Sequence, residues 1–130
     1  MKRILLVEDH EQVRVALASD FTQLGYEVRM AANGQEALLA LENFQPDVIV
    51  LDLRMPIMDG REFAARYHQR TEPQAPIVLL SAEEHVGQLA LQINVAAGIV
   101  KSADADPLYR TVAKLTQRES NPGKATADSG

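Results

Sequence analysis

Asp47-Val48-Ile49-Val50-Leu51-Asp52 is the stretch that decides the fold: four apolar residues in succession, closed by a carboxylate. An unbroken run of this kind marks a strand covered on both faces, as in a parallel sheet, rather than the alternation of a half-exposed strand. The chain opens with a second such run, residues 4–7, closed by Glu8-Asp9. Open α/β sheets place their ligand sites beyond the carboxyl ends of the strands, so these acids sit where such folds do chemistry.

Outward from these two runs, further apolar runs fall at residues 26–30, 77–80 and 99–100, with helically periodic stretches between them. Five β-then-α units imply an α/β fold, a parallel sheet with helices on both faces. In the first helix Val13, Leu17, Phe21 and Leu24 form one stripe that Gly25 ends. The second follows the Asn33-Gly34 turn and buries Ala37, Leu38 and Leu41. The third opens at Asp59, a cap with Glu62 three residues on, and turns Phe63, Ala64 and Tyr67 inward. The fourth presents Val86, Leu89, Ala90 and Ile93, and Gly87 inside it costs up to about 1 kcal/mol relative to Ala. The fifth has Asp106 as cap, Pro107 at its first position and Leu108, Val112 and Leu115 as its stripe.

The 130 residues, 46% of them hydrophobic, fit one domain of roughly 100–150 residues with a core that needs no staples. Thirteen Lys and Arg against eighteen Asp and Glu give a net charge of -5, no footprint for nucleic acid or an anionic membrane. With no cysteine, disulfides, thiolate catalysis and cysteine-ligated metals are excluded. The first apolar run is shorter than the roughly 7–15 residues of a signal-peptide core, and no run approaches the roughly 18 of a membrane span. A cytoplasmic location is the expectation. Residues 118–130 contain no large apolar side chain and read as a disordered tail or the start of a linker, which leaves residues 1–117 as the domain.

Glu8 and Asp9 after the first strand, Asp52 after the third, Ser81 after the fourth and Lys101 after the fifth converge on one sheet edge. Three carboxylates a few ångströms apart repel one another unless a cation lies among them. Oxygen-only ligands select a hard ion, and Mg2+ takes a few protein oxygens while keeping waters and a phosphate oxygen. Such a site can hold a phosphoryl group: Mg2+ and Lys101 neutralise its oxygens, Ser81 donates a hydrogen bond, and an aspartate oxygen attacks in line.

Glu8-Asp9, Asp52-Leu53-Arg54-Met55-Pro56, Asp59-Gly60, Leu80-Ser81-Ala82 and Lys101 together resemble the receiver domain of two-component response regulators. The resemblance implies a doubly wound, five-stranded, flavodoxin-like sheet in the order 2-1-3-4-5 with five helices. It implies that Asp52 accepts a phosphoryl group from a sensor histidine kinase or a phosphotransfer protein. Asp9 and Asp52 then bind Mg2+ together with the Arg54 backbone carbonyl, Glu8 assists through water, and Ser81 and Lys101 contact the phosphoryl group. The signal leaves through the face of helix four, strand five and helix five toward a downstream protein or effector domain. The chain catalyses only its own phosphorylation and dephosphorylation, without being an enzyme on a separate substrate, and is a monomer or weak homodimer.

The chain departs from that family pattern in two places. Gly98 stands three positions before Lys101, where receivers commonly carry an aromatic, which points to readout by loop and helix-four movement. Ser102 follows Lys101 where the family has a cis proline, and a cis bond to a non-proline residue costs about 2.5–4 kcal/mol, so Lys101-Ser102 should be trans. Asn94 replaces a usual glycine at a helix end and tolerates the left-handed conformation. Arg54 and Glu83 are placed to pair across the pocket mouth and shield the phosphate.

Blander readings compete at several positions. Ser81-Ala82-Glu83-Glu84 is also a capping box for helix four, and one hydroxyl can serve both roles in different states. His10, His68 and His85 read as surface residues without zinc spacing, Asp59-Gly60 as a structural turn and cap, and Tyr109 as an exposed or half-buried residue of helix five. Haloacid-dehalogenase-like phosphotransferases need a second Asp two positions after the nucleophile, where this chain has Arg54. The remaining alternative is a pseudo-receiver that keeps the fold and takes no phosphate.

Overall fold

The computed structural model describes residues 1–120. Its elements alternate as the apolar runs require: β1 (Arg3–Val7), α1 (Glu11–Gln23), β2 (Glu27–Ala31), α2 (Gly34–Ala40), β3 (Val48–Asp52), α3 (Gly60–His68), β4 (Ile77–Ser81), α4 (Val86–Gln92), β5 (Ala97–Val100) and α5 (Asp106–Ser120). All strand pairs are parallel and the order is β2-β1-β3-β4-β5. α5 runs through residues 118–120, three positions into the expected tail, and residues 121–130 lie outside the described residues.

Alternate residues of the central strands enter two separate cores. Leu5, Val7, Ile49, Leu51, Ile77 and Leu79 pack with Ala37, Phe63, Tyr67, Val86 and Leu89 from α2, α3 and α4. Ile4, Leu6, Val48, Val50, Val78 and Leu80 face the other way, onto Ala18 and Phe21 of α1 and Leu108 and Val112 of α5. Removing such side chains from water at about 25 cal/mol per Å² is the main force holding the layers together. Every residue of β3 and β4 is buried, which is why their sequences show no alternation.

Two details differ from the sequence expectation. Leu24 is exposed, because α1 ends at Gln23 and the chain turns away through Gly25 at φ +100; Ala18 completes the buried stripe with Phe21. In α5 Asp106 is the first helical residue rather than the cap. The Asp104 carboxylate accepts from its amide at 3.0 Å, and Pro107, at the second position, lacks an N–H that the helix would leave free anyway. Asp59 does cap α3, accepting from the Glu62 amide at 3.0 Å.

The β3–α3 loop, which follows Asp52, is pinned on both sides: Gly60 N–H donates to Leu53 O at 2.8 Å, and Gly34 N–H donates to Met58 O at 3.1 Å. A Cβ on Gly60 would lie 2.7 Å from Asp52 O, so only glycine lets α3 start this close to the end of β3. Between the two pins Ile57 sits at φ +71, with Met58 N–H reaching back to Pro56 O at 2.7 Å, a γ-turn that a β-branched residue occupies under strain. Its side chain is 75% exposed, so little burial offsets that strain. Ile57→Asn should therefore raise folding stability by about 1 kcal/mol in a denaturant titration.

Candidate functional site

Parallel strands bring their last residues to one edge, and four of them deliver the site. Asp52 ends β3 and Ser81 ends β4; Glu8-Asp9 and Lys101 follow β1 and β5. Glu8 is fully buried and Asp52 is 4% exposed. Lys101 Nζ stands 2.9 Å from Glu8 Oε1 and 3.1 Å from Asp52 Oδ1, bridging the two buried acids. The other Glu8 oxygen accepts from the His10 amide at 3.1 Å. One oxygen each from Glu8, Asp9 and Asp52 lies within 4.8 Å of the others. Together with Arg54, Ser81 and Lys101 these acids line a cavity of about 240 Å³.

The electrostatics follow from that crowding. Burial, and then the Glu8 charge, push Asp52 from 3.8 up to about 6, against the pull of Lys101. Burial lowers Lys101, but its hydrogen bond to Glu8 and the charge of Asp52 prevail and leave it above the ordinary lysine value. Asp52 is therefore ionised at neutral pH, but its charge costs the fold free energy.

The sequence placed Glu8, Asp9, Asp52, Ser81 and Lys101 together, and all five are together. Ser81 differs in one respect: its hydroxyl accepts from the Glu83 amide at 3.1 Å, a local turn, while α4 begins only at Val86 with His85 as an uncapped start. The expected capping box is absent because four residues of loop and turn separate Ser81 from the helix. Arg54 and Glu83 do pair, through both Nε at 2.9 Å and Nη2, although of the two only Arg54 lines the acidic cavity. His85 Nε2 joins Glu83 at 3.0 Å. The guanidinium hydrogen bond holds the Glu83 carboxyl below its ordinary value.

Arg14 was not anticipated. Its Nη1 donates to Glu8 O at 2.9 Å and to Asp9 O at 3.4 Å, clamping the peptide that carries the acidic pair. A base near the N-terminus of a helix opposes the helix dipole, and that mismatch was the available signal. Tyr109 is half-buried as expected, its hydroxyl donating to Asp20 and its ring edge-on to Phe21 at 5.2 Å. No peptide bond among the described residues is cis, Lys101-Ser102 included, and Asn94 is left-handed at φ 61.

A sequence profile described as the response regulator receiver domain matches residues 4–113. The chain belongs to the response regulator receiver family. It is 34% identical over 122 residues to the regulatory protein AtoC of Escherichia coli K12, covering 92% of this chain and 26% of that one. It is 35% identical over 131 residues to the transcriptional regulatory protein AfsQ1 of Streptomyces coelicolor, covering 92% and 55%. The receiver thus spans between a quarter and about half of the length of these relatives. Among solved structures it resembles the response regulator TrrA of Thermotoga maritima in complex with Mg2+-BeF, at TM-score 0.80 and 35% identity over 88% of this chain and 99% of that one. TrrA is also known in complex with the histidine kinase ThkA, where the match has TM-score 0.77 and 34% identity over 88% and 98%. No helix among the described residues is long and apolar enough to cross a membrane.

The Asp52 value sets a pH test. A carboxyl whose folded pKa lies above its unfolded one stabilises the fold only below the unfolded value, and that contribution is lost as pH rises through the folded one. Without divalent metal, Asp52→Asn should match the wild type near pH 4 and exceed it above pH 6 by about 3 kcal/mol at most, read from urea unfolding at both pH values.

Proposed function

We propose that Asp52 is the phosphoacceptor of this receiver and that its phosphoryl group comes from a histidine kinase or phosphotransfer protein. The observation that carries the reading is a buried, ionisable aspartate at the floor of an acidic cavity, facing a lysine that already bridges it to Glu8. Three carboxylates offering oxygens within 4.8 Å of one another form a donor set suited to a hard divalent ion. Asp9, Asp52 and the Arg54 carbonyl would hold Mg2+, with Glu8 acting through water, and the ion would supply charge neutralisation at the phosphoryl oxygens.

An ionised Asp52 oxygen forms the new O–P bond in line as the P–N bond to the donor imidazole breaks, and the imidazole keeps that electron pair. Lys101 moves its charge from Asp52 to a phosphoryl oxygen, and the Ser81 hydroxyl donates to another. Both groups are in place at the ends of neighbouring strands, so the positioning is prepaid by the fold. Output passes through the α4–β5–α5 face to a downstream protein or effector domain, and the cytoplasm is the site of action.

Incubation with acetyl phosphate and Mg2+ should add the mass of one phosphoryl group, and Asp52→Asn or removal of Mg2+ should abolish the gain. An unlabelled wild type would instead support an interaction module that keeps the fold without the chemistry. The Arg54–Glu83 pair covers the approach of water to the acyl phosphate. Arg54→Ala should speed loss of label, followed by mass spectrometry, by up to about fivefold, the ceiling for one exposed ion pair.

A further inference from the structure

Gly98 lies in the edge strand β5 opposite Leu79, on the face that packs against α4. A Cβ at this position would lie 2.8 Å from the Val86 carbonyl carbon and 3.1 Å from Gly87 Cα, and closer still to the Val86 carbonyl oxygen. These are backbone atoms, so no rotamer change could make room. The family's usual aromatic is therefore not merely missing here: the first turn of α4 occupies its space.

That turn connects directly to the phosphoryl pocket. Val86 N–H donates to Glu83 O at 3.3 Å, and Glu83 N–H donates to Ser81 Oγ at 3.1 Å. At the far end α4 is tied down, with Val95 N–H on Ala90 O at 3.0 Å and Ala96 N–H on Ile77 O at 2.9 Å. Its near end has no side-chain cap, and Val86 is held there by its packing in the core and by the seat of its backbone on β5. Displacement of Val86 must be absorbed by residues 82–85, the segment that holds the Ser81 hydroxyl.

Building on the phosphoacceptor reading, we propose that Gly98 is a positioning residue for Ser81: its bare backbone seats α4, and through Val86 and Glu83 the seat sets the hydroxyl. Gly87 has no such role, since a Cβ there meets nothing within 4 Å.

The test is a double-mutant cycle on the full chain, labelled with acetyl phosphate and Mg2+ and followed by mass spectrometry. Gly98→Ala and Ser81→Ala should each slow labelling about fivefold, the worth of one hydrogen bond, while the double variant is no slower than the slower single one. Gly87→Ala should label like the wild type. Wild-type labelling of Gly98→Ala, or a Gly98 factor that multiplies on the Ser81→Ala background, overturns the proposal and leaves the phosphoacceptor reading standing. An unlabelled wild type defeats both. If Gly98→Ala does not fold, the wild type carries the test through its amide resonances. Beryllium fluoride with Mg2+ should shift Glu83, Val86 and Gly98 in the wild type and leave them in place in Ser81→Ala; equal shifts in both overturn the proposal.

Discussion

Glu8 and Asp52 are buried like charges at the ends of neighbouring strands, and the structure depends on Lys101, among the described residues the one cation that reaches both. Lys101 stands within 3.1 Å of each, on the loop after β5. Removing one partner of a buried charge pair costs more than the pair itself contributes, because the remaining charge is left unsolvated. The site is thus arranged around a lysine whose ion pairs are strong enough to hold the acids together and can be exchanged for a phosphoryl oxygen.

Much of this was legible in the sequence. The apolar runs located all five strands; β1, β3 and β4 are buried on both faces and cannot hide their composition, and their runs lead into the acids and the hydroxyl that they display. The spacing of Glu8, Asp9, Asp52, Ser81 and Lys101 placed five groups at one edge for the same reason. The Asp59 cap and the left-handed Asn94 were readable because each rests on a local conformational preference.

What stayed hidden depends on tertiary approach rather than local pattern. Ser81-Ala82-Glu83-Glu84 has the form of a capping box, but the chain spends those residues on a turn and starts α4 at Val86. Asp104 rather than Asp106 receives the free amide at α5, a shift that two acids so close in sequence do not announce. Arg14 binds two carbonyls, acceptors that every residue possesses and no motif encodes. The strain at Ile57 comes from pins at Gly34 and Gly60, residues distant from it in kind and purpose.

The contact between Gly98 and the start of α4 also limits how this chain can diverge. Any side chain at position 98 needs the helix to have retreated first, whereas a retreated helix would tolerate almost any residue there. The substitution path is therefore one-way in practice, with helix movement preceding sequence change. Across related receivers, the residue at this one position should report how far helix and edge strand stand apart.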